Sequence, residues 1–195
     1  MSDDVSSDSV TEHAETLVLA AESARDARQY LDTVTAVAAG QAADTAIPLL
    51  LLATAQLLLT GSRLGAIQDI VLRERYEADT GPDPDLDPLR DSLSNLLEGL
   101  DEYADVVDPV TAAELTKGSL SNDIVYIAAA LTHGLTHYDE GRPAEALWWW
   151  QFSYLSTWGD RAASSLRVLQ SVVAHLRLDA DSETVMEAEF DALHP

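Results

Sequence analysis

The uncharged run Ala46-Ile-Pro-Leu-Leu-Leu-Leu-Ala-Thr-Ala-Gln-Leu-Leu-Leu59 constrains this chain more than any other feature. It is apolar on nearly every side, which predicts a helix in the middle of a bundle, wrapped by others. Thr45 can cap it, and Pro48 falls in the first turn, where a missing N–H breaks no ladder bond. A bilayer needs about 20 apolar residues, and Asp44 and Arg63 bracket the run. A core helix is therefore expected, not a membrane span. Gly61 and Gly65 are expected to interrupt it before a shorter segment through Leu64, Ile67, Ile70 and Val71.

The surrounding chain reads as helices of the same array. Val10, Ala14, Leu17, Ala21, Ala24, Leu31, Val34 and Ala38 recur at multiples of three and four, marking one long amphipathic helix that ends at Gly40. A loop rich in acids and prolines, Tyr76 to Asp87, gives way to a helix capped by Asp87 with Pro88 in its first position, its stripe running Leu89, Leu93, Leu96, Leu100, Tyr103, Val107. After a connection from Asp108 to Gly118, Ser121 is the expected cap of a helix through Tyr138. Pro143 starts another, through Trp158, and Gly159-Asp160 reads as a stop and a new cap before a last helix through Leu176. No segment alternates as a strand does. The expected fold is all-α: a compact, mostly antiparallel bundle of about six or seven helices, with the 46–59 and 143–158 helices at its centre. Residues 1–9 are expected to be a disordered acidic start, 10–178 a single helical domain, and 179–195 an acidic tail in which Met186, Phe190 and Leu193 can form a short helix.

Charge and composition narrow the partners. The chain has 195 residues and a formal net charge of −23, with Lys117 its only lysine. Nucleic acid and anionic membranes need a cationic patch, so neither is an expected partner. With no cysteine, thiolate metal sites and thiol nucleophiles are excluded. The start Met1-Ser2-Asp3-Asp4-Val5 lacks the basic and apolar regions of a signal peptide, which makes a cytoplasmic location the expectation.

Three groups of residues are candidates for a site. Trp148, Trp149, Trp150, Tyr154 and Trp158 crowd onto about three helical turns, and consecutive tryptophans point about 100° apart, so this helix must be contacted on several sides. Some of these rings fill the core, and one or two are candidates to line an apolar pocket or a protein-binding patch. His133 and His137 are spaced to share a helix face, with Asp123, Tyr126 and Glu140 near the same line. That face is a candidate for a divalent metal if another helix adds ligands, although Gly134 stands where a zinc protease has its glutamate. Asp83-Pro-Asp85-Leu-Asp87 opens like a calcium loop, but Pro88 and Ser94 occupy the positions that need glycine and glutamate, leaving a solvated loop. No phosphate loop, dinucleotide fingerprint or nucleophile elbow is present. His137-Tyr138 through Ala146-Leu147 echoes one tetratricopeptide helix pair, which supports an αα-hairpin and no array.

The segments His133-Gly-Leu-Thr-His-Tyr138, Ala146-Leu-Trp-Trp-Trp-Gln-Phe152 and Trp158-Gly159 resemble an uncharacterised bacterial family, domain of unknown function 5063, over roughly residues 15 to 178. The resemblance implies an all-helical protein and carries over no catalytic residue. The expected function is thus a non-catalytic protein- or ligand-binding module near the aromatic segment, without a cofactor, whose partner is another protein or a second copy. The alternative is a metal-dependent or acid/base enzyme using Asp123, His133 and His137.

Overall fold

The computed structural model describes the backbone at residues 3–67, 69–72, 81–82 and 84–193, and side chains within 14–178. The chain is mostly helical. Helix α1 (Asp3–Ala38) takes in the acidic start and is followed by α2 (Ala46–Ala66) and α3 (Asp87–Leu96). A hairpin of β1 (Glu102–Asp108) and β2 (Ala112–Ser119) comes next, then α4 (Leu120–Asp139), α5 (Pro143–Ser153) and α6 (Gly159–Leu193). The acidic loop 76–80, Asp83 and the side chains of His13, Met186, Phe190 and Leu193 lie outside the described residues.

Two expectations about helix boundaries are corrected. Gly159 does not stop the chain. Residues Tyr154–Trp158 form a π-helical turn that joins α5 to α6 without a break, and the Gly159 N–H bonds back to the Tyr154 carbonyl. The two are arms of one long helix, so the described chain has five helices instead of six or seven. Gly61 and Gly65 do not interrupt α2 either. They let it pass close to the π turn, where a Cβ on Gly61 would meet Trp158 Cη2 at 2.5 Å and Tyr154 Cδ2 at 2.5 Å. Beyond Ala66 the chain turns extended at Ile67, so no third segment forms through Val71.

The all-α expectation is corrected by the hairpin. Leu100, Tyr103 and Val107 fit helical spacing, but α3 ends at Leu96 and Gly99 adopts φ +82, a left-handed conformation that suits glycine. The strands then pair antiparallel, Tyr103 opposite Gly118 and Glu102 opposite Ser119. Asp108 makes the turn: its carboxylate accepts from the Val110 and Thr111 N–H groups at 2.7 and 3.1 Å and from the Thr111 hydroxyl at 2.5 Å. These bonds, the Thr111 hydroxyl's foremost, hold its carboxyl below the ordinary range.

The core is shared among all the helices. Helix α4 packs on α1, α3, α5 and α6 and on β2, while α2 packs on α1, α5 and α6. Ile124, Ile127 and Leu131 of α4 meet Tyr30 and Val34 of α1 in one buried cluster with Leu50, Leu57, Trp150 and Leu169. The most internal helix is thus α4. Helix α2 is not wrapped on every side as its composition suggests: Leu52 and Leu59, one heptad apart, stand on an open face and are 67% and 48% exposed. With its leading turn, Ala43–Ala66 is long and apolar enough to cross a membrane by length and composition, so the apparent stop at Leu59 does not argue against a span. Within the fold it is packed between α1 and α6. Neither Thr45 nor Asp87 caps through its side chain. Thr45 stands at the N-cap of α2 without a capping bond, and the N-cap of α3 is Leu86, with Asp87 inside the first turn.

Candidate functional site

The hairpin lies against the start of α4, and the join is polar. Ser119, not Ser121, is the N-cap of α4 and accepts from the Asn122 N–H at 3.3 Å. Asp101 takes the remaining donors. Its carboxylate accepts from the Ser121 N–H at 2.7 Å and from the Ser119 and Ser121 hydroxyls, and its carbonyl accepts from the Leu120 N–H at 2.9 Å. The helix end is therefore filled by the chain's own groups.

One turn further on, Asp123 is buried, 3% exposed. The Tyr103 hydroxyl donates to its Oδ2, and Arg161 Nη1 of α6 donates to its Oδ1 at 2.7 Å. The Arg161 guanidinium lies over the Tyr126 ring, 4.2 Å from its centroid. Tyr103 reaches Asp123 because it faces Gly118, whose missing side chain leaves room for the phenol ring. Alongside, Asp105 accepts from Ser164 at 3.2 Å and Arg167 at 2.9 Å, fastening β1 to α6. Above Asp123 opens a cleft of about 380 Å³ lined by Glu102, Lys117, Gly118, Asn122, Tyr126 and Arg161, with Ser119 and Asp123 completing it.

Burial is the dominant influence on ionisation here. It pushes the Asp123 carboxyl above the ordinary carboxylate range, against the hydrogen bonds from Tyr103 and Arg161 and the Arg161 charge. Burial likewise raises the Tyr103 phenol, helped by its bond to Asp123 and by the charges of Asp123 and Asp105. Tyr30 in the core is raised by burial and then by the Asp123 charge, with Thr54 pulling the other way. Both tyrosines are thus held as neutral hydroxyls.

The residues expected to form an aromatic patch divide. Trp150 and Trp158 are core, each about 1% exposed; Tyr154, Trp148 and Trp149 are half-buried. Trp149 and Trp150 donate to the Ala130 and Leu131 carbonyls of α4 at 2.8 and 3.3 Å, while Trp158 Nε1 is buried with no hydrogen-bond partner. What reaches the surface joins one expected residue, Trp148, to one that was not, Phe152. Trp148 and Phe152 stack with an interplanar angle of 3°, and Leu155 is exposed a turn beyond.

The metal face does not assemble. His133 and His137 meet, with ring centroids 5.2 Å apart, but the ring that closes on His133 is Trp149, at 4.0 Å. Asp123 precedes His133 by ten residues on the same helix, a rise of about 15 Å, so one ion cannot bridge them. No group of three His, Cys, Asp or Glu able to hold a metal occurs among the described residues.

Sequence reasoning placed Asp123 and Tyr126 on one line but missed Tyr103, Lys117 and Arg161. The one available signal was scarcity: with eleven lysines and arginines among 195 residues, each cation on an otherwise acidic helix is a candidate to pair with a buried acid.

A family model described as "Domain of unknown function (DUF5063)" matches residues 16–175. No curated protein matches the sequence. The fold is similar to that of a Bacteroides fragilis protein whose crystal structure was determined as a structural-genomics target. The TM-score is 0.63 at 17% identity, over 77% of this chain and 89% of that one. At that identity the likeness is one of fold.

Proposed function

We propose that this chain, which belongs to the family described as domain of unknown function (DUF5063), is a non-catalytic binding module that takes a small polar molecule in the cleft above Asp123. One observation carries the reading: a buried carboxylate, fixed by a phenol and a guanidinium, forms the floor of an open cleft. Burying ionised groups is costly unless partners compensate, and clefts with such groups are where proteins bind small molecules. The size fits a small metabolite, since ligand pockets run from about 300 to 1,000 Å³. Both oxygens of Asp123 are engaged, which suits positioning and recognition better than proton transfer.

The test is a screen of small polar metabolites by backbone and side-chain amide NMR. Saturable shifts confined to Gly118, Ser119, Asn122 and Arg161 are the expected result. If no compound moves these signals, the cleft is not a binding site.

A second reading rests on the stacked Trp148–Phe152 pair at the surface, with Phe152 half exposed and Leu155 beside it. Large aromatics at a surface are the usual anchors of protein interfaces. In this reading the module docks a protein partner on α5, and replacing Phe152 by Ser abolishes partner recovery without unfolding the chain.

A further inference from the structure

Resting on the reading of the cleft as a ligand site, we infer that its ligand carries a terminal oxyanion, a carboxylate or a phosphate, held between Arg161 and Lys117.

Arg161 presents the group in the cleft that best fits an oxyanion. Among the described residues its one hydrogen bond runs from Nη1 to Asp123, and Nε and Nη2 have no partner there. Those two nitrogens form the edge of the guanidinium that matches a carboxylate or phosphate with two parallel bonds. The group is already immobilised, since Asp123 holds it from one side and Tyr126 from below at 4.2 Å. A preorganised fork loses little freedom when it captures an anion.

Lys117 supplies the second charge. It is the only lysine in the sequence, and it lines the same cleft as Arg161 in a chain with 34 acidic and 11 basic residues. Its ammonium is 3.6 Å from Glu102, and both side chains are largely exposed, 86% and 77%. An exposed pair of this kind is weak, leaving the ammonium free to turn toward a ligand. Asn122 adds a neutral amide.

The acids of the cleft do not favour the opposite sign. Asp123, the buried acid, already holds Arg161 at 2.7 Å, so a cationic ligand must first displace that guanidinium. The net negative charge of the whole chain is screened beyond about 8 Å at physiological salt. The α4 N-terminus plays no part, because Asp101 and Ser119 occupy it.

The experiment titrates succinate and inorganic phosphate separately into the full chain at constant ionic strength, with chloride as the matched control. Arginine Nε and asparagine side-chain signals are followed by NMR. Saturable shifts of Arg161 Nε and Asn122 are expected with at least one probe, and the probe that saturates first distinguishes a carboxylate from a phosphate ligand. Arg161→Lys keeps the charge but loses the fork and should weaken binding about tenfold or more. Lys117→Gln removes an exposed charge and should weaken it about threefold. Should Arg161→Lys disturb the fold, Lys117→Gln alone carries the test, because that side chain is outside the core. Unchanged affinity in the variants overturns the inference. So does an Arg161 signal silent to both anions; if Gly118 and Asn122 then respond to a neutral or cationic compound, the ligand cleft stands and only the oxyanion is lost.

Discussion

Tyr103 and Gly118 face each other across the hairpin, and the phenol ring covers the space that a side chain on Gly118 would need. The hydroxyl of the same ring ends on the buried carboxylate of Asp123. One cross-strand pair thereby joins the sheet to the helical core. Gly118→Ala should push Tyr103 off Asp123 and cost about 1–3 kcal/mol, the usual penalty for overpacking. Urea denaturation measures it, and the penalty should largely vanish in a Tyr103→Ala background, where nothing remains to collide with.

Asp123 should leave a mark on the pH dependence of stability. Its folded-state carboxyl binds its proton more tightly than the unfolded chain does, because burial raises it above the ordinary range. The stability it contributes is fully present below the ordinary carboxylate value of about 4 and is lost as pH rises through the raised folded value. Asp123→Asn removes this titration. The stability of the wild type relative to Asp123→Asn should therefore fall as pH rises above that acidic range. Parallel denaturation series across pH test this, and a difference that is flat or rises with pH contradicts the assigned burial.

Gly134 of α4 should not tolerate alanine. Its missing side chain makes room for the indole of Trp150, whose Nε1 donates to the Leu131 carbonyl. A Cβ there meets a ring with no free space to retreat into, so Gly134→Ala should destabilise by about 1–3 kcal/mol despite alanine's better helix propensity. A more stable variant would mean that α4 and α5 are farther apart than described.

The π turn should depend on Gly159. A side chain at that position would meet the Tyr154 carbonyl at 2.6 Å and the Tyr154 ring at 2.8 Å. Gly159→Ala should cost about 1–3 kcal/mol and alter the near-ultraviolet circular dichroism, because Tyr154 stacks edge-on against Trp158 at 4.9 Å.

The exposed aromatic pair should behave differently from the buried tryptophans. Phe152 stacks on Trp148 with half its surface in water. Phe152→Ser should change stability by only about 1 kcal/mol, whereas Trp150→Ala should cost about 3–5 kcal/mol. Thermal unfolding of the two variants separates a surface ledge from a core ring.

Much of the architecture was legible in the chain. The long helix ending before Gly40, the helix opened by Pro143 and the turn between Tyr138 and Pro143 follow from hydrophobic period and from glycine and proline chemistry. The buried stripe of the first helix is shifted from the expected one, since Ala14, Leu17 and Ala21 are exposed while Ala20, Ala27 and Tyr30 are buried. Three further features were not legible. The hairpin was hidden because Leu100, Tyr103 and Val107 satisfy helical spacing, while the signals against it, Gly99 and the Asp108-Pro109 turn, are short and local. Gly159-Asp160 looks like a stop and a new cap, but where α5 joins α6 the glycine accommodates Tyr154 within a π turn. The open face of α2 was hidden because composition says how apolar a helix is and not how many neighbours it has.

The sequence alone determined that the chain is mostly helical, roughly where its helices lie, and its family, since these rest on local periodicity and on the tryptophan-rich segment. Only the tertiary structure decided which groups meet. Tyr103, Asp123 and Arg161 come from a strand and two helices, far apart along the chain, and no local pattern encodes their approach. Their meeting depends on Gly118 making room for a ring, and on a buried carboxylate needing a hydroxyl and a guanidinium that the helix bearing it does not supply.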